Sequence, residues 1–525
     1  MSCCSGGKLS RVSPSAGAAA LESAAAPRGR PMGKTAGLCA VLLAAALVRL
    51  WFAFHKGLVL DEFHTLFHAS AANAASFFDG LRRDNHPPLS FLLVAAFRSA
   101  LGDDEWALRL PALLFGLAEI ALVWRIARRL GGAWAPLLAA ALLSASSLHL
   151  DFSTQARMYA LHSLAVTALT ATTLAVLEAR APRRLRLAQA AWAACVVAGA
   201  HDHYFFLYYA ALLGAGILAA RVLGAVPRDR WRRFLVPAAV AALLCLPWYA
   251  WGFWPQLQHG LNPGGRDVGL AALGEALVHL FFLNVRIAGP ELRLVFIAAG
   301  VALLGYAAYG LWRALPLGRR QERALPVPPP LPLLLGAVGF GVPAAATLVA
   351  ALFPRAGFTW HYVLPSAPAL ALLAAAGFEG EIRPRLHRAG LAAILGAATL
   401  LALLNAGSRG TEDYPGAVRS ILADFEPGDA VISVECQPAH FAQGLPWDYY
   451  APRLAAPEGA PPRLAMDGAF HLARPAELAR YGRVHVLCTS MPDDWPLMRL
   501  LYRGYDLREQ ENFGYGVDAL LFVER

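Results

Sequence analysis

The sequence predicts an α-helical polytopic membrane protein with about 11 to 13 transmembrane helices and a small C-terminal extracytoplasmic α/β domain. Three observations carry this. The chain is 57% hydrophobic and 16% charged, with a mean hydropathy of +0.45, an apolar excess that a soluble chain of 525 residues could not bury. Apolar runs of about 18 to 22 residues recur up to about residue 405, each long enough to cross a ~30 Å hydrocarbon layer as a helix. The basic residues sit in short loops between these runs, so the net charge of +10 sets topology and does not indicate nucleic-acid binding.

Residues 1–35 are rich in Ala, Ser, Gly and Arg and read as a disordered cytoplasmic tail without a cleavable signal. Lys8, Arg11, Arg28, Arg30 and Lys34 precede the first span, 36–55, and place the following loop, 56–86, outside the cytoplasm. Further spans are expected near 107–129, 133–150, 157–178, 186–200, 203–222, 233–252, 292–313, 331–353, 362–378 and 387–405. Basic clusters at 125–129, 180–186, 221–233, 313–323 and 383–388 mark the cytoplasmic loops, and 151–159, 201–204, 253–291 and 354–362 then form the external face. The apolar stretches 88–101 and 270–285 read as short helices dipping into the outer leaflet; if both cross, the spans number thirteen and the C-terminus is still outside. The Pro-rich 326–332 segment is a stiff lead into the next span.

From about residue 405 the charge rises and short β-like runs appear at 430–434, 484–487 and 519–523, with helices near 417–424 and 497–502. The domain organisation is thus a tail, 1–35, a membrane domain, 36–405, and an external α/β domain, 406–525. The seven cysteines lack metal-finger spacing. Cys436 and Cys488 end apparent strands and are either a disulfide or two buried thiols.

Asp61-Glu62 stands at the mouth of the first span, where adjacent carboxylates are costly unless they meet a charge, take a proton or hold a metal. The long loop after it carries a helix-like stretch with Phe63, Leu66 and Phe67 on one side, expected to lie on the membrane surface. Asp84-Asn85-His86-Pro87-Pro88-Leu89 closes that loop, and the two prolines hold His86 outside helical geometry, where it either faces Asp61 or is a solvated cap. Asp61 itself either acts chemically or caps a helix beginning at Glu62. His201-Asp202-His203 has metal-like spacing in an extended segment, against pocket-lining and purely structural alternatives. Trp248, Trp251, Trp254 and Trp360 read as interfacial belt residues.

The acidic pair after the first span, the His86-Pro87-Pro88-Leu89 closure and Gln155-Ala156-Arg157-Met158-Tyr159 opening a later helix together resemble the membrane glycosyltransferases of the GT-C superfold. The nearest branch holds the dolichyl-phosphate-mannose protein mannosyltransferases, the bacterial aminoarabinose transferases and the bacterial galacturonosyl transferases, and the resemblance covers most of residues 36–405. It implies inverting transfer of a sugar from a polyprenyl-phosphate donor to an extracytoplasmic lipid, polysaccharide or protein acceptor. Asp61 matches the family's loop carboxylate and would be the general base, with Glu62 orienting the acceptor or sharing the proton. In some relatives the corresponding carboxylate holds a divalent cation, for which Asp61, Glu62 and His86 are the candidates. Arg157 would meet the lipid phosphate, unless it is an interfacial snorkelling residue. Tyr159 would line the sugar pocket, and His201 and His203 would contact acceptor or sugar. His361 stands where many relatives carry Arg, so either Arg355 supplies the missing charge or His361 donates a hydrogen bond; Arg286 and Arg293 are further cations. Residue usage points to a high-GC bacterium, hence an undecaprenyl carrier and the inner (plasma) membrane. A transporter or lipid flippase, or a non-catalytic assembly subunit, is the rival reading; a transporter should place charges within several spans, whereas the polar residues singled out here gather at one face.

Overall fold

The computed structural model describes residues 31–130, 132, 134–259, 270–282, 290–315, 330–352, 360–378, 384–407, 412–435, 444–455, 459–466, 472, 474–489, 495–514 and 516–525. The protein is a helical membrane domain followed by a small α/β domain, and a helix occupies each of the eleven expected spans. Among the described residues, six helices are long and apolar enough to cross a membrane: Thr35–His55, Glu105–Ala127, Tyr159–Glu178, Arg228–Gln258, Leu292–Ala314 and Pro330–Val349. The helices that frame the site are α1 (Pro31–His55), α2 (Leu60–Ala69), α3 (Ala74–Leu81), α4 (Leu89–Leu101), α5 (Glu105–Ala127), α6 (Ala135–Ala145), α7 (Ser147–Phe152), α8 (Tyr159–Glu178), α9 (Pro182–Asp202) and α10 (Phe206–Val222).

At the centre of the bundle, every residue of helix Ser366–Phe378 is buried. Its Ala-rich sequence permits this, because small side chains let neighbouring backbones approach. A Cβ on Gly310 would collide with the Leu373 carbonyl oxygen, and one on Gly377 with that of Tyr306, so helix Pro290–Ala314 lies directly on it.

The C-terminal domain is a four-stranded sheet of order β1-β2-β4-β3, with β1 (Ala430–Glu435), β2 (Arg483–Thr489), β3 (Tyr505–Asn512) and β4 (Val517–Glu524). β1 and β2 are parallel, with Ala430 opposite Val484, and the β3–β4 hairpin pairs antiparallel to β2, with Val484 opposite Phe522. Helices cover both faces, so β2 is buried nearly end to end and reads as a continuous apolar run. The expected strands and helices are all present. β3 is the addition: Tyr505-Asp-Leu-Arg-Glu-Gln-Glu-Asn is a charged, mostly exposed edge strand, which the apolar pattern does not reveal. Cys488 is buried in β2; Cys436 lies outside the described residues.

Helix α2 corrects one expectation. Phe63 and Leu66 do not lie on the membrane; they are buried in a cluster shared with Leu58, Val94 and Leu108 on one side and Tyr414, Trp447, Tyr449 and Tyr450 of the C-terminal domain on the other. Only Phe67 is exposed. The helix begins at Leu60 with Val59 at its N-cap, so Asp61 sits inside the first turn and is not the cap. The C-terminal domain also supplies hydrogen bonds: Leu58 N donates to Tyr450 Oη at 2.6 Å, and Leu60 N donates to the Glu412 carboxylate.

Glu412 links this docking to pH. Burial, with Asp61 and Glu62 nearby, raises its carboxyl from 4.5 to about 7 despite the Leu60 N–H. A folded-state pKa above the unfolded value means the stabilisation is fully present below pH 4.5 and lost as pH rises through about 7. The thermal midpoint of the wild type should therefore fall over that interval, and in Glu412→Gln that part of the fall should vanish; equal pH profiles for the two proteins would refute the assignment.

Candidate functional site

The acidic pair divides the moment it folds. The α2 backbone turns Glu62 inward, where Arg109 of α5 meets it bidentately, Nε to Oε1 at 2.8 Å and Nη2 to Oε2 at 2.6 Å. Ala156 N donates to Oε1 at 2.7 Å and Val59 N to Oε2 at 3.1 Å. Arg109 also donates to the carbonyls of Ala53, Lys56 and Gly57. Both side chains are buried, so this pair ties together α1, α2, α5 and the loop before α8.

Asp61, one residue earlier, points the other way, and its side chain is 47% exposed. Among the described residues Arg157 is its nearest cation, with Nε 3.8 Å from Asp61 Oδ2. Nη1 of Arg157 is anchored on the Asp61 carbonyl at 3.1 Å and on His64 Nδ1 at 2.9 Å, while its buried Nε–H has no hydrogen-bond partner among the described residues. Arg157 is therefore a fixed guanidinium, 6% exposed, and not a side chain snorkelling towards water. Desolvation would raise the Asp61 carboxyl, but Arg157, His361, His64 and His86 together hold it below the usual carboxylate range. Asp61 is ionised at neutral pH.

A ring of aromatic and imidazole side chains surrounds the pair. Tyr159, at the start of α8, lies 4.9 Å from the His361 ring and 5.8 Å from His203. His203 also faces Tyr362 at 4.9 Å and His86 at 6.2 Å, and stacks on His162 at 4.8 Å. Burial lowers His361 to about 4, with Asp61 opposing the shift, so it is neutral at pH 7. It is a polar neighbour of Asp61 and not a second cation. Burial, assisted by His162 and His86, also drives His203 well below the usual imidazole range.

His86 meets Asp84, whose Oδ1 it approaches at 3.3 Å, and it lies close enough to Asp61 to act on it electrostatically. Beyond Pro88 an apolar groove of about 720 Å³ runs between α4, α9 and helix Leu235–Trp248, lined by Leu89, Leu92, Ala193, Val197, His201 and Leu244.

His201 and His203 separate. His201, in the last turn of α9, bonds to Val197 O at 2.8 Å and borders the groove, whereas His203 follows the helix and joins the ring around Tyr159. Helix termination between them removes the extended His-x-His geometry expected from spacing. Arg355 and Arg286 lie outside the described residues, and Arg293 is exposed on its helix.

Three comparisons bear on this arrangement. Residues 85–251 match the family model described as dolichyl-phosphate-mannose-protein mannosyltransferase. No curated protein sequence matches the chain. Among solved structures, ArnT from Cupriavidus metallidurans in the apo state is 14% identical and superposes with a TM-score of 0.60, over 93% of this chain and 98% of that one. The chain therefore has an ArnT-like fold of the GT-C type. The same ArnT bound to undecaprenyl phosphate, 14% identical, gives a TM-score of 0.56 over 94% and 98% of the two chains.

Within the GT-C frame, several residues went unassigned in the sequence. Arg109 is hidden by its place at the head of a span, where an arginine ordinarily marks the interface. Asp84 stands in the segment that closes the first loop, and for His64 and His68 the spacing of four was the available signal. Trp248 is a correction: it is buried and donates from Nε1 to Tyr204 Oη at 3.1 Å, whereas Trp251 and Trp254 are exposed as a belt would require. Charges also occur inside the bundle. Arg49 Nη2 bonds His149 Nδ1 at 2.8 Å, His149 Nε2 meets Glu119 Oε2 at 3.1 Å, and Ser163 and Thr167 donate to Glu119 Oε1 at 2.8 and 2.7 Å. These residues are additional to the polar residues singled out in the sequence, which did not include them.

Proposed function

We propose that the protein transfers a sugar, with inversion, from a polyprenyl-phosphate-linked donor to an acceptor outside the cytoplasm. The observation that supports this best is the pairing of an exposed, ionised Asp61 with a fixed Arg157, whose buried Nε–H, 3.8 Å away, lacks a hydrogen-bond partner among the described residues. In this reading Asp61 accepts the acceptor hydroxyl's proton as the oxygen attacks the anomeric carbon, and the sugar–phosphate bond breaks on the opposite face. The bond electrons leave with the lipid phosphate, whose charge Arg157 meets through charge-assisted hydrogen bonds. A carboxylate held below its usual range is a weak base, so proton transfer falls late, when the attacking oxygen is already acidic.

Glu62 has no free acceptor atom for a substrate, and we assign it to positioning: through Arg109 and Ala156 N it fixes the two segments that carry Asp61 and Arg157. Tyr159, His203 and His361, whose rings gather beside Asp61, would contact the sugar, with His86 at the edge of the group. The apolar groove beyond Pro88, bordered by His201, suits the isoprenoid tail, and undecaprenyl phosphate is the carrier this reading favours. The internal Arg49–His149–Glu119 group gives a transporter little support, because its members bond to one another and to neighbouring hydroxyls.

Comparing cell-surface glycans by mass spectrometry with and without the protein tests the reading and names the sugar. A defined hexose or pentose increment should disappear when the gene is removed and return with the wild-type protein. An unchanged glycan profile would contradict it.

A further inference from the structure

The loop after α1 carries a second constellation, distinct from Asp61 and Arg157. His64 and His68 are four residues apart in Leu60–Ala69, which places both rings on one face of α2. Asp84 comes from the turn that follows α3. Its carboxylate is divided between two tasks: Oδ1 accepts Asn85 N at 2.6 Å and faces His86 Nδ1 at 3.3 Å, whereas Oδ2 faces His64 Nε2 at 3.1 Å and His68 Nε2 at 3.0 Å. The three ligand-type atoms lie within 4.8 Å of one another. Donors around a tetrahedral zinc, each about 2.0–2.1 Å from the metal, stand roughly 3.4 Å apart.

We propose that His64, His68 and Asp84 bind a divalent transition metal, zinc by ligand preference, through His64 Nε2, His68 Nε2 and Asp84 Oδ2. Two neutral imidazoles and one carboxylate form a donor set that suits zinc and leaves a fourth position open. The surroundings have the features of an outer shell. Asn85 N–H and His86 fix the carboxylate through its other oxygen, and the His68 ring packs 4.8 Å from Phe91. Asp84 and His68 are buried, and His64, at 18% side-chain exposure, is the side from which an ion enters.

The site is coupled to Arg157. A metal on His64 Nε2 takes that lone pair and leaves the ring proton on Nδ1, which now accepts from Arg157 Nη1 at 2.9 Å. Two donors cannot share that contact, so metal binding turns the guanidinium away from His64. On the reading of Arg157 given above, this frees an edge of the guanidinium for the donor phosphate.

The test uses full-length protein in detergent, stripped with a chelator and titrated with zinc against a chromophoric competitor. One tight equivalent is expected, lost in His64→Ala and Asp84→Asn and retained in His55→Ala, an exposed histidine at the end of α1. Arg157→Met should tighten binding by about tenfold, the scale of outer-shell effects on metal affinity. His64 is the main test because its partial exposure makes truncation mild, and a metal-free unfolding curve matching wild type establishes that this variant is folded. Absence of stoichiometric zinc in the wild type would overturn the proposal, as would retention in His64→Ala or weaker binding in Arg157→Met. Zinc bound by a protein that transfers no sugar would uphold the site and sink only the catalytic reading.

Discussion

Asp61→Asn should lower the turnover of sugar transfer by about 10²- to 10⁴-fold, the range associated with losing a positioned general base, while leaving the protein folded. The amide is nearly isosteric, and Asp61 contributes little to packing: its side chain is 47% exposed and Arg157 approaches it no closer than 3.8 Å. Binding of the lipid phosphate should survive or strengthen, because Arg157 keeps its anchors on the Asp61 carbonyl and His64 and loses only a competing anion. The effect should therefore fall on kcat, with little rise in KM for the donor. Initial rates with purified protein in detergent, at saturating donor and acceptor, measure it. A variant that transfers sugar at the wild-type rate would remove Asp61 from the mechanism.

Arg109→Met should have the largest effect on stability, about 3–5 kcal/mol, because it leaves the Glu62 carboxylate buried without its cation. The same substitution abandons the carbonyls of Ala53, Lys56 and Gly57, which Arg109 now satisfies. Glu62→Gln should be costly in the same sense, since it strands the Arg109 charge and puts an NH2 donor where one carboxylate oxygen now accepts from Arg109 and a backbone N–H. The double variant Glu62→Gln, Arg109→Met removes both charges and should lose less than the two single losses added together, which a double-mutant cycle on thermal unfolding measures. Additive losses would mean that the two residues act independently and that Glu62 does not hold the Asp61 and Arg157 segments together.

The membrane fold was legible in the sequence because its signals are local. Apolar length and basic loops place eleven helices, and short apolar, β-branched runs place β1, β2 and β4. Asp61 and Arg157 were legible too, since both are charged residues at the ends of apolar runs. What escaped depends on contacts between distant segments. Phe63 and Leu66 have the look of a membrane-facing stripe until Tyr414 and Tyr450, more than three hundred residues away in sequence, cover them. Glu62 reads like a twin of Asp61, and only the arrival of Arg109 from α5 separates a structural carboxylate from an exposed one. The edge strand β3 is charged and carries no apolar alternation, so periodicity has nothing to detect there. His201 and His203 share a dipeptide spacing, but the end of α9 sends them to different places.

The most direct test of the central claim is the fate of the donor. Purified protein should be incubated with a radiolabelled undecaprenyl-phosphate sugar and a membrane-lipid or glycan extract as acceptor, and free undecaprenyl phosphate should be followed. The account predicts acceptor-dependent release of the lipid phosphate together with transfer of the label, both slowed by about 10²- to 10⁴-fold in Asp61→Asn. Movement of intact donor across a proteoliposome membrane, with no release of lipid phosphate from any donor or acceptor offered, would contradict it and favour a transporter.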